Sequence, residues 1–230
     1  MSDDPRPPQK PLRTIKSYVK RAGRVTKLQQ YALEHYADHY LIPYQSQIDV
    51  DTLFAQKQPL IVEIGFGMGT SLIEMAQRNP HFNYLGIEVH EAGVGNILDK
   101  IHTLELANIM VIQHDAVDVL KHKILDNTLF GLQIFFPDPW HKKRHHKRRL
   151  INAEFIELLT LKLEKKGFIH FASDWQHYAD EVLALFKQNP SLTNAHEGFA
   201  PRPESRPLTK FEQRGQRLNH GVWDIIVHKK

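Results

Sequence analysis

Residues 60–69 read LIVEIGFGMG, and this stretch is the strongest indication of the fold in the sequence. Its first half, Leu60–Ile64, is a run of aliphatic and β-branched residues that predicts a buried strand. Its second half carries glycine at alternate positions, which lets the backbone turn sharply and approach a ligand closely. Thr70–Gln77 follows with a helical pattern. The sequence therefore predicts a strand, a glycine loop and a helix in immediate succession.

Strands and helices alternate along the rest of the chain. Further strands are predicted at Tyr84–Val89, Ile109–Gln113, Leu132–Phe136, Phe168–Ala172 and Trp223–His228. Further helices are predicted at Gln29–His39, Val94–Leu106, Asn152–Glu164 and Trp175–Lys187. Because parallel neighbours require crossover connections, this alternation predicts an α/β fold with a doubly wound, mostly parallel sheet. We expect residues 1–58 to form a basic N-terminal arm and lead-in, and residues 59–230 to form the Rossmann-like domain.

Acidic residues mark the ends of the predicted strands. They are Glu63, Glu88, Asp115, Asp138 and Asp174. In doubly wound sheets, ligands bind at the carboxyl ends of the strands. We therefore expect these side chains to lie along one edge of the sheet and to include the ligand-binding groups.

The residues of the glycine loop indicate the charge of the ligand. Leu60–Gln77 contains Glu63 but no Lys or Arg, so it lacks the lysine of a phosphate-binding loop. A carboxylate suits a cationic ligand, and S-adenosylmethionine carries a sulfonium and an ammonium group. Glu88 follows the last glycine of the loop by 19 residues, where it can accept from both hydroxyls of a ribose. Asp115 can accept from an adenine amino group, or cap a helix over Ala116–Lys121.

A second distinctive stretch, residues 135–149, reads FFPDPWHKKRHHKRR. It places Asp138 between two prolines at the start of a run in which six of the last nine residues are Lys or Arg. Residues 1–30, with eight Lys or Arg, and residues 202–217 are further basic regions in a chain of net charge +4. Several separate basic regions suit a polyanion, so we expect a nucleic acid substrate. Its phosphates should contact the cations of the run, which are Lys142, Lys143, Arg144, Lys147, Arg148 and Arg149.

Composition excludes several classes of site. The chain has no cysteine, which rules out disulfides, thiolate metal sites and cysteine nucleophiles. Three histidines in the basic run could suggest zinc, but the neighbouring cations oppose a divalent ion, and we expect no metal. No uncharged apolar run approaches the ~18 residues of a membrane span. The first ten residues lack the apolar core of a signal peptide. We therefore expect a cytoplasmic protein with no membrane partner.

Four motifs together resemble one enzyme family. The glycine loop, the stretch 135–149, Gly86-Ile87-Glu88-Val89-His90 and Thr209-Lys210-Phe211-Glu212 resemble the tRNA (guanine-N7)-methyltransferase family in its bacterial single-chain form. The resemblance extends from about Ile15 to the C-terminus. It implies a Rossmann-like class I methyltransferase that uses S-adenosylmethionine and modifies a guanosine in the variable loop of tRNA. With this form we expect tRNA as the partner and no obligate protein partner.

The resemblance also implies which residues act. The implied cofactor contacts are Glu63, Gly65, Gly67, Glu88, Asp115 and Asp138. The implied contacts to the substrate guanosine are Lys142, Asp174, Thr209, Lys210, Phe211 and Glu212. Asp138 is treated as the catalytic position. Because guanine N7 carries a lone pair and no proton, we expect Asp138 to orient the guanine and offset its new charge rather than to act as a base.

Other interpretations stay open. Amino-methyltransferases on an exocyclic base nitrogen often place an acidic or amide residue, two prolines and an aromatic residue after the fourth strand, and Asp138-Pro139-Trp140 lacks the second proline. A non-catalytic RNA-binding relic would have lost a cofactor acid or a glycine, and none is missing. Thr209 and Glu212 also fit a helix capping box, Asp174 fits a helix N-cap, and Asp138 could shape a turn.

Overall fold

The computed structural model describes residues 16–18, 23–45, 48–208, 212 and 221–230. The strands are β1 (Leu60–Ile64), β2 (Asn83–Glu88), β3 (Ile109–Gln113), β4 (Leu129–Phe135), β5 (Leu163–Ser173), β6 (Leu192–Asn194) and β7 (Trp223–Lys229). The helices are α1 (Lys27–His35), α2 (Ala37–Tyr40), α3 (Thr70–Arg78), α4 (Glu91–Thr103), α5 (Ala116–His122), α6 (Ala153–Lys162) and α7 (Gln176–Gln188). A 3-10 helix covers Lys143–Arg148.

The strands form one mixed sheet in the order β3-β2-β1-β4-β5-β7-β6. Strands β1 to β5 pair in parallel, whereas β7 is antiparallel to both β5 and β6. The chain winds outward from β1 in two directions, toward β3 and toward β5. Such a switch point opens a crevice at the carboxyl ends of the strands. The predicted doubly wound, mostly parallel α/β fold is confirmed.

Hydrophobic layers cover both faces of the sheet. Along β1, Val62 and Ile64 join the layer that contains α5, α6 and α7, whereas Ile61 joins the layer that contains α1, α3 and α4. This division follows from the alternation of side chains along a strand. Every residue of β1 and β2 is buried, which explains why both strands are mostly apolar rather than alternating.

The other predicted helices differ from the observed ones by at most two residues at either end, and two helices differ by more. The helix predicted over Gln29–His39 is split into α1 and α2 at Tyr36, whose φ of −115° and ψ of −9° depart from helical values. Thr26 and Gln29 form a capping box that starts α1. Helix α4 begins earlier than predicted. It also ends earlier, because the chain turns at Glu105, which has a φ of +50°.

The sheet also extends beyond the prediction. Strand β5 begins at Leu163 rather than Phe168, and its pairing with β4 contains a register shift between Leu129 and Gly131. Strand β6 was not predicted, since three residues are too few to show a period. Ile42, from the predicted lead-in, packs in the same core as β1. The division of the chain at residue 59 stays a prediction. None of the described helices is long and apolar enough to cross a membrane.

Candidate active site

A cavity of about 710 Å³ lies at the carboxyl ends of the parallel strands. The predicted residues that line it are Gly65, Glu88, Asp115, Asp138 and Asp174. They come from the ends of five different strands or the segments just after them. The structure therefore brings together four of the five predicted acids. Glu63 and Gly67 are not among the lining residues.

The glycine loop connects β1 to α3 with its backbone in the left-handed region. Gly65, Gly67 and Gly69 have φ values of +74°, +58° and +76°, which side chains rarely tolerate. Helix α4 packs against this loop at Gly93, where an added Cβ would lie 2.2 Å from the carbonyl oxygen of Gly67. Gly93 was not predicted, because a glycine inside a helix does not reveal which other backbone lies against it.

Glu88 is held against the glycine loop by backbone donors. Its Oε2 accepts a hydrogen bond from the N–H of Gly67 at 2.9 Å. Its Oε1 accepts from the N–H groups of Val89 at 2.6 Å and His90 at 3.0 Å. Each carboxylate oxygen has two lone pairs, so acceptor capacity remains on Oε2, which accepts only one of these three bonds. The loop and this carboxylate therefore form one fixed unit.

Glu63 is a buried carboxyl with an unsatisfied oxygen. Its side chain lies in the middle of the sheet at 3% exposure, and Oε2 has no hydrogen-bond partner among the residues that the structure describes. Burial, and then the charge of Glu88, raises the pKa of Glu63 to about 8. Two carboxyl groups beside a loop without cations would be stabilised by a positively charged ligand. The two carboxyl groups therefore fit a cationic ligand.

Asp115 joins α5 to the N-terminal segment. Its Oδ1 accepts from the N–H of Val117 at 3.0 Å and so caps α5, which confirms that interpretation. Its Oδ2 accepts from Nζ of Lys16 at 2.8 Å, and this hydrogen bond raises the pKa of Lys16. Ser17 and Tyr18, which follow Lys16, line the cavity. This contact joins residues 99 positions apart, and no local sequence pattern predicts it.

Asp138 lies in a strained turn that follows β4. Phe136 and Trp140 on either side have φ values of +52° and +48°, which cost on the order of 1–3 kcal/mol each for residues other than glycine. Contacts to other segments hold them: the N–H of Phe136 donates to the carbonyl of Ala172 at 2.8 Å, and Nε1 of Trp140 donates to the carbonyl of Ser17 at 3.2 Å. Asp138 itself is exposed. The turn thus presents an accessible carboxylate at the cavity.

The basic run forms the 3-10 helix beside this turn. Lys143, Arg144 and Lys147 are exposed, as is Lys142 just before the helix. The expectation of a phosphate contact is wrong for Arg149, whose side chain is only 2% exposed. Its guanidinium points inward and hydrogen bonds to protein groups, so a phosphate cannot reach it. Arg149 directly follows the 3-10 helix, and the inward direction of its side chain, which the run of charges does not reveal, separates it from its neighbours.

The predicted substrate residues divide into three groups. Asp174 lines the cavity, and the N-cap of α7 is Trp175 without a side-chain cap, so the N-cap alternative for Asp174 is wrong. Lys142 is exposed but does not line the cavity. Glu212 is buried at 1% exposure and accepts from Arg206 at 2.6 and 3.1 Å, away from the cavity lining. Outside the described residues lie Thr209, Lys210 and Phe211.

Residues 57–225 match a family model described as "Putative methyltransferase". The tRNA (guanine-N(7)-)-methyltransferase of Francisella philomiragia is 54% identical, over 95% of this chain and 96% of its own length. The enzyme of the same name from Legionella pneumophila (strain Corby) is 52% identical, over 95% of this chain and 99% of its own length. The chain belongs to the tRNA (guanine-N7)-methyltransferase family.

Solved structures share the fold of this family member at low sequence identity. The 16S rRNA methyltransferase KamB matches with a TM-score of 0.61, over 81% of this chain and 95% of that chain at 14% identity. TrmN from Thermus thermophilus matches with a TM-score of 0.53, over 88% of this chain and 48% of that chain at 13% identity. The fold is therefore a Rossmann-like class I methyltransferase fold.

Among the aromatic residues that line the cavity of this methyltransferase, two that were not predicted as site residues directly adjoin the acids. His114 stacks on Tyr44 with ring centroids 3.6 Å apart, and Trp175 meets His141 edge to face at 4.3 Å. His114 and Trp175 each adjoin a predicted acid in sequence, and that adjacency was the signal available. Aromatic rings provide flat apolar walls of the kind against which a purine packs.

Proposed function

We propose that this protein transfers the methyl group of S-adenosylmethionine to N7 of a guanosine in the variable loop of tRNA. The position of Asp138 supports this reaction most strongly. Its exposed carboxylate lies at a cavity lined by Glu88 and Asp115, directly before a helix of exposed cations. The names of relatives that match over nearly their whole length support the reaction and the substrate.

Charge and backbone geometry support the cofactor. S-adenosylmethionine, when bound, supplies a methyl group on a cationic sulfur. Glu88 gives the loop a negative potential that attracts the sulfonium and the ammonium group, and Glu63 adds to it once a cationic ligand favours its ionised form. Gly65 and Gly67 leave the loop backbone accessible to the ligand. In this assignment Glu88 accepts from the ribose hydroxyls, and Asp115 accepts from the adenine amino group with the lone pairs that remain to it.

The guanine must be oriented rather than deprotonated. N7 is an acceptor with an in-plane lone pair and no proton, so no general base is required. Asp138 accepts from guanine N–H donors and offsets the positive charge that the purine gains during transfer. Asp174 and Lys142 are the proposed further contacts to the guanosine. Predicted substrate contacts beyond the described part of the chain are Thr209, Lys210 and Phe211.

Nucleoside analysis tests this proposal. Unmodified tRNA is incubated with the protein and S-adenosylmethionine that carries an isotopically labelled methyl group, and the RNA is digested to nucleosides for mass spectrometry. The expected product is labelled 7-methylguanosine. Label on an exocyclic nitrogen would instead identify an amino-methyltransferase, and binding of tRNA without label would identify a non-catalytic RNA-binding protein.

Cofactor affinity is expected to rise with pH and to level off near pH 8. Below about pH 8 the Glu63 carboxyl of the ligand-free protein is protonated, because its pKa is raised to about 8. A cationic ligand favours the ionised form, so binding releases a proton and tightens as the pH increases. Above the raised pKa the carboxyl is already ionised and the dependence disappears. Calorimetry between about pH 6.5 and 8.5 measures this change.

The variant Glu63→Gln is the control for the pH effect, because it keeps the shape of the side chain and removes its titration. It should bind the cofactor more weakly and without this pH dependence. The same substitution should stabilise the ligand-free fold by an amount that grows from pH 4.5 to about 8 and then stays constant, since only the unfolded chain has an ionised Glu63 between those pH values. An unchanged pH dependence in Glu63→Gln would assign the titration to another group.

Substitution of Lys143, Arg144 and Lys147 by Gln is expected to weaken tRNA binding and to reduce its salt dependence. Each cation that neutralises a phosphate releases a counterion, so the slope of log affinity against log salt should flatten by about 2–3 units. Filter binding at several salt concentrations measures the slope. Cofactor binding should survive, because these side chains do not line the cavity.

A matched triple variant separates specific contacts from net charge. Three exposed lysines lie at the opposite, amino-terminal edge of the sheet: Lys57, Lys165 and Lys187. Their replacement by Gln removes the same total charge and should leave the slope close to that of the wild type. Equal slopes for the two triple variants would mean that the 3-10 helix does not contact phosphates.

A further inference from the structure

Arg149 is a buried cation that contacts the turn carrying Asp138. Its Nε donates a hydrogen bond at 2.9 Å to the carbonyl oxygen of Pro139, the residue directly after Asp138. Its Nη1 donates to the Glu181 carboxylate on α7. The centre of the guanidinium lies 4.7 Å from the ring centroid of Tyr178, also on α7. A single side chain therefore links the turn after β4 to α7.

Helix α7 carries the opposite wall of the cavity. Asp174 and Trp175, which directly precede it, line the cavity together with Asp138. Tyr178 in its first turn is fully buried, and its hydroxyl accepts from the N–H of Ile151 at 3.1 Å. This contact anchors the start of α7. The link through Arg149 thus joins the two segments that carry the acidic walls of the cavity.

Stability alone is a poor reason to bury a cation at this place. Removing a guanidinium from water is costly, and a single carboxylate partner such as Glu181 repays that cost only with good geometry. Apolar side chains of similar volume often stabilise such a site equally well. They could not bond to the Pro139 carbonyl. What Arg149 adds is a directed bond to a turn whose backbone is strained at Phe136 and Trp140.

We propose that Arg149 is a positioning residue for methyl transfer, which fixes the Asp138 turn relative to α7. This inference rests on the proposed function, because it assigns the effect to the orientation of Asp138. A misplacement of about 1 Å at a reacting group can lower a rate on the order of 100-fold. Arg149 acts through the Pro139 carbonyl, and it is not among the residues that line the cavity.

Three variants test this role: Arg149→Gln, Arg149→Lys and Glu181→Ala. The rate of methyl transfer in a single turnover, at saturating tRNA and cofactor, should fall about 10- to 100-fold in Arg149→Gln. The fall should be smaller in Arg149→Lys, which keeps the charge but cannot bond both partners. Glu181→Ala leaves the Pro139 bond and releases Arg149 from α7, so it should also lower the rate. If Arg149→Gln fails to fold, the partly exposed Glu181 still decides the outcome.

Two further measurements distinguish positioning from other roles. The salt dependence of tRNA affinity should equal that of the wild type in all three variants, whereas Arg144→Gln on the 3-10 helix should reduce the slope by about 1 unit. Amide exchange in the peptide 136–142, followed by mass spectrometry without tRNA, should be faster in Glu181→Ala and in Arg149→Lys.

The contrary results are equally distinct. A reduced salt slope with an unchanged rate would make Arg149 a phosphate ligand and overturn the inference. Unchanged rate and unchanged amide exchange in both Glu181→Ala and Arg149→Lys would overturn it as well. Failure of the wild-type protein to methylate tRNA would overturn the proposed function, and the exchange data would then decide separately whether Arg149 fixes the turn.

Discussion

Replacement of Asp138 by Ala is expected to lower the rate of methyl transfer at saturating substrates by about 10²- to 10³-fold. This is the scale observed when one preorganised group is removed from a site where charge develops. Asp138 is exposed, so the loss of its carboxylate should change the free energy of unfolding by no more than about 0.5 kcal/mol. Single-turnover kinetics and thermal unfolding of the same preparations separate the two effects.

The variant Asp138→Asn examines the role of the charge. Asn keeps the shape and one acceptor oxygen but removes the negative charge, so it should retain more activity than Ala and less than the wild type. Full activity in Asn would mean that Asp138 acts by hydrogen bonding alone. Asp180→Ala, which removes an exposed carboxylate on α7, is the matched control. Full activity in Asp138→Ala would contradict the assignment of this residue.

Replacement of Gly93 by Ala is expected to weaken cofactor affinity more than tenfold and to lower the free energy of unfolding by about 1–3 kcal/mol, the usual cost of overpacking. The added Cβ would lie 2.2 Å from the carbonyl oxygen of Gly67, so either α4 or the glycine loop must move. The N–H of Gly67 in the loop donates a hydrogen bond to Glu88. Displacement of the loop therefore disturbs Gly67 and Glu88, which are both predicted to contact the cofactor. Calorimetry with S-adenosylmethionine measures the affinity.

Gly198→Ala is the control for this prediction. An added Cβ at Gly198 meets no atom within 4 Å, and its backbone φ is outside the left-handed region. This variant should bind the cofactor as the wild type does. Wild-type affinity in Gly93→Ala would show that α4 can withdraw without disturbing the loop, and the close packing would then have no part in cofactor binding.

The parallel strands and the edge that holds the site could be predicted from the sequence. Strands β1 and β3 have the predicted bounds, because a buried strand that ends in glycine or polar residues leaves a clear local pattern. The acids at the strand ends could be located for the same reason. Once the topology is parallel, Glu88, Asp115 and Asp138 must lie at the same edge.

Contacts between distant segments could not be predicted. The ion pair of Lys16 with Asp115 and the hydrogen bond from Trp140 to Ser17 join regions far apart in the chain, and neither leaves a local pattern. Arg149 is one of several adjacent cations, and it is buried because its side chain points inward just after the end of the 3-10 helix. Such features depend on packing after the chain has folded.

Chemical cleavage of the modified tRNA distinguishes methylation at guanine N7 from methylation of an exocyclic amine. A methyl group at N7 leaves a cationic guanine ring that is easily reduced and then cleaved from its sugar, whereas a methyl group on an exocyclic amine leaves a neutral, resistant base. After treatment with borohydride and aniline, the tRNA should break at one guanosine of the variable loop, only if the wild-type protein and S-adenosylmethionine were both present. Incorporation of methyl groups without that break would contradict methylation at guanine N7.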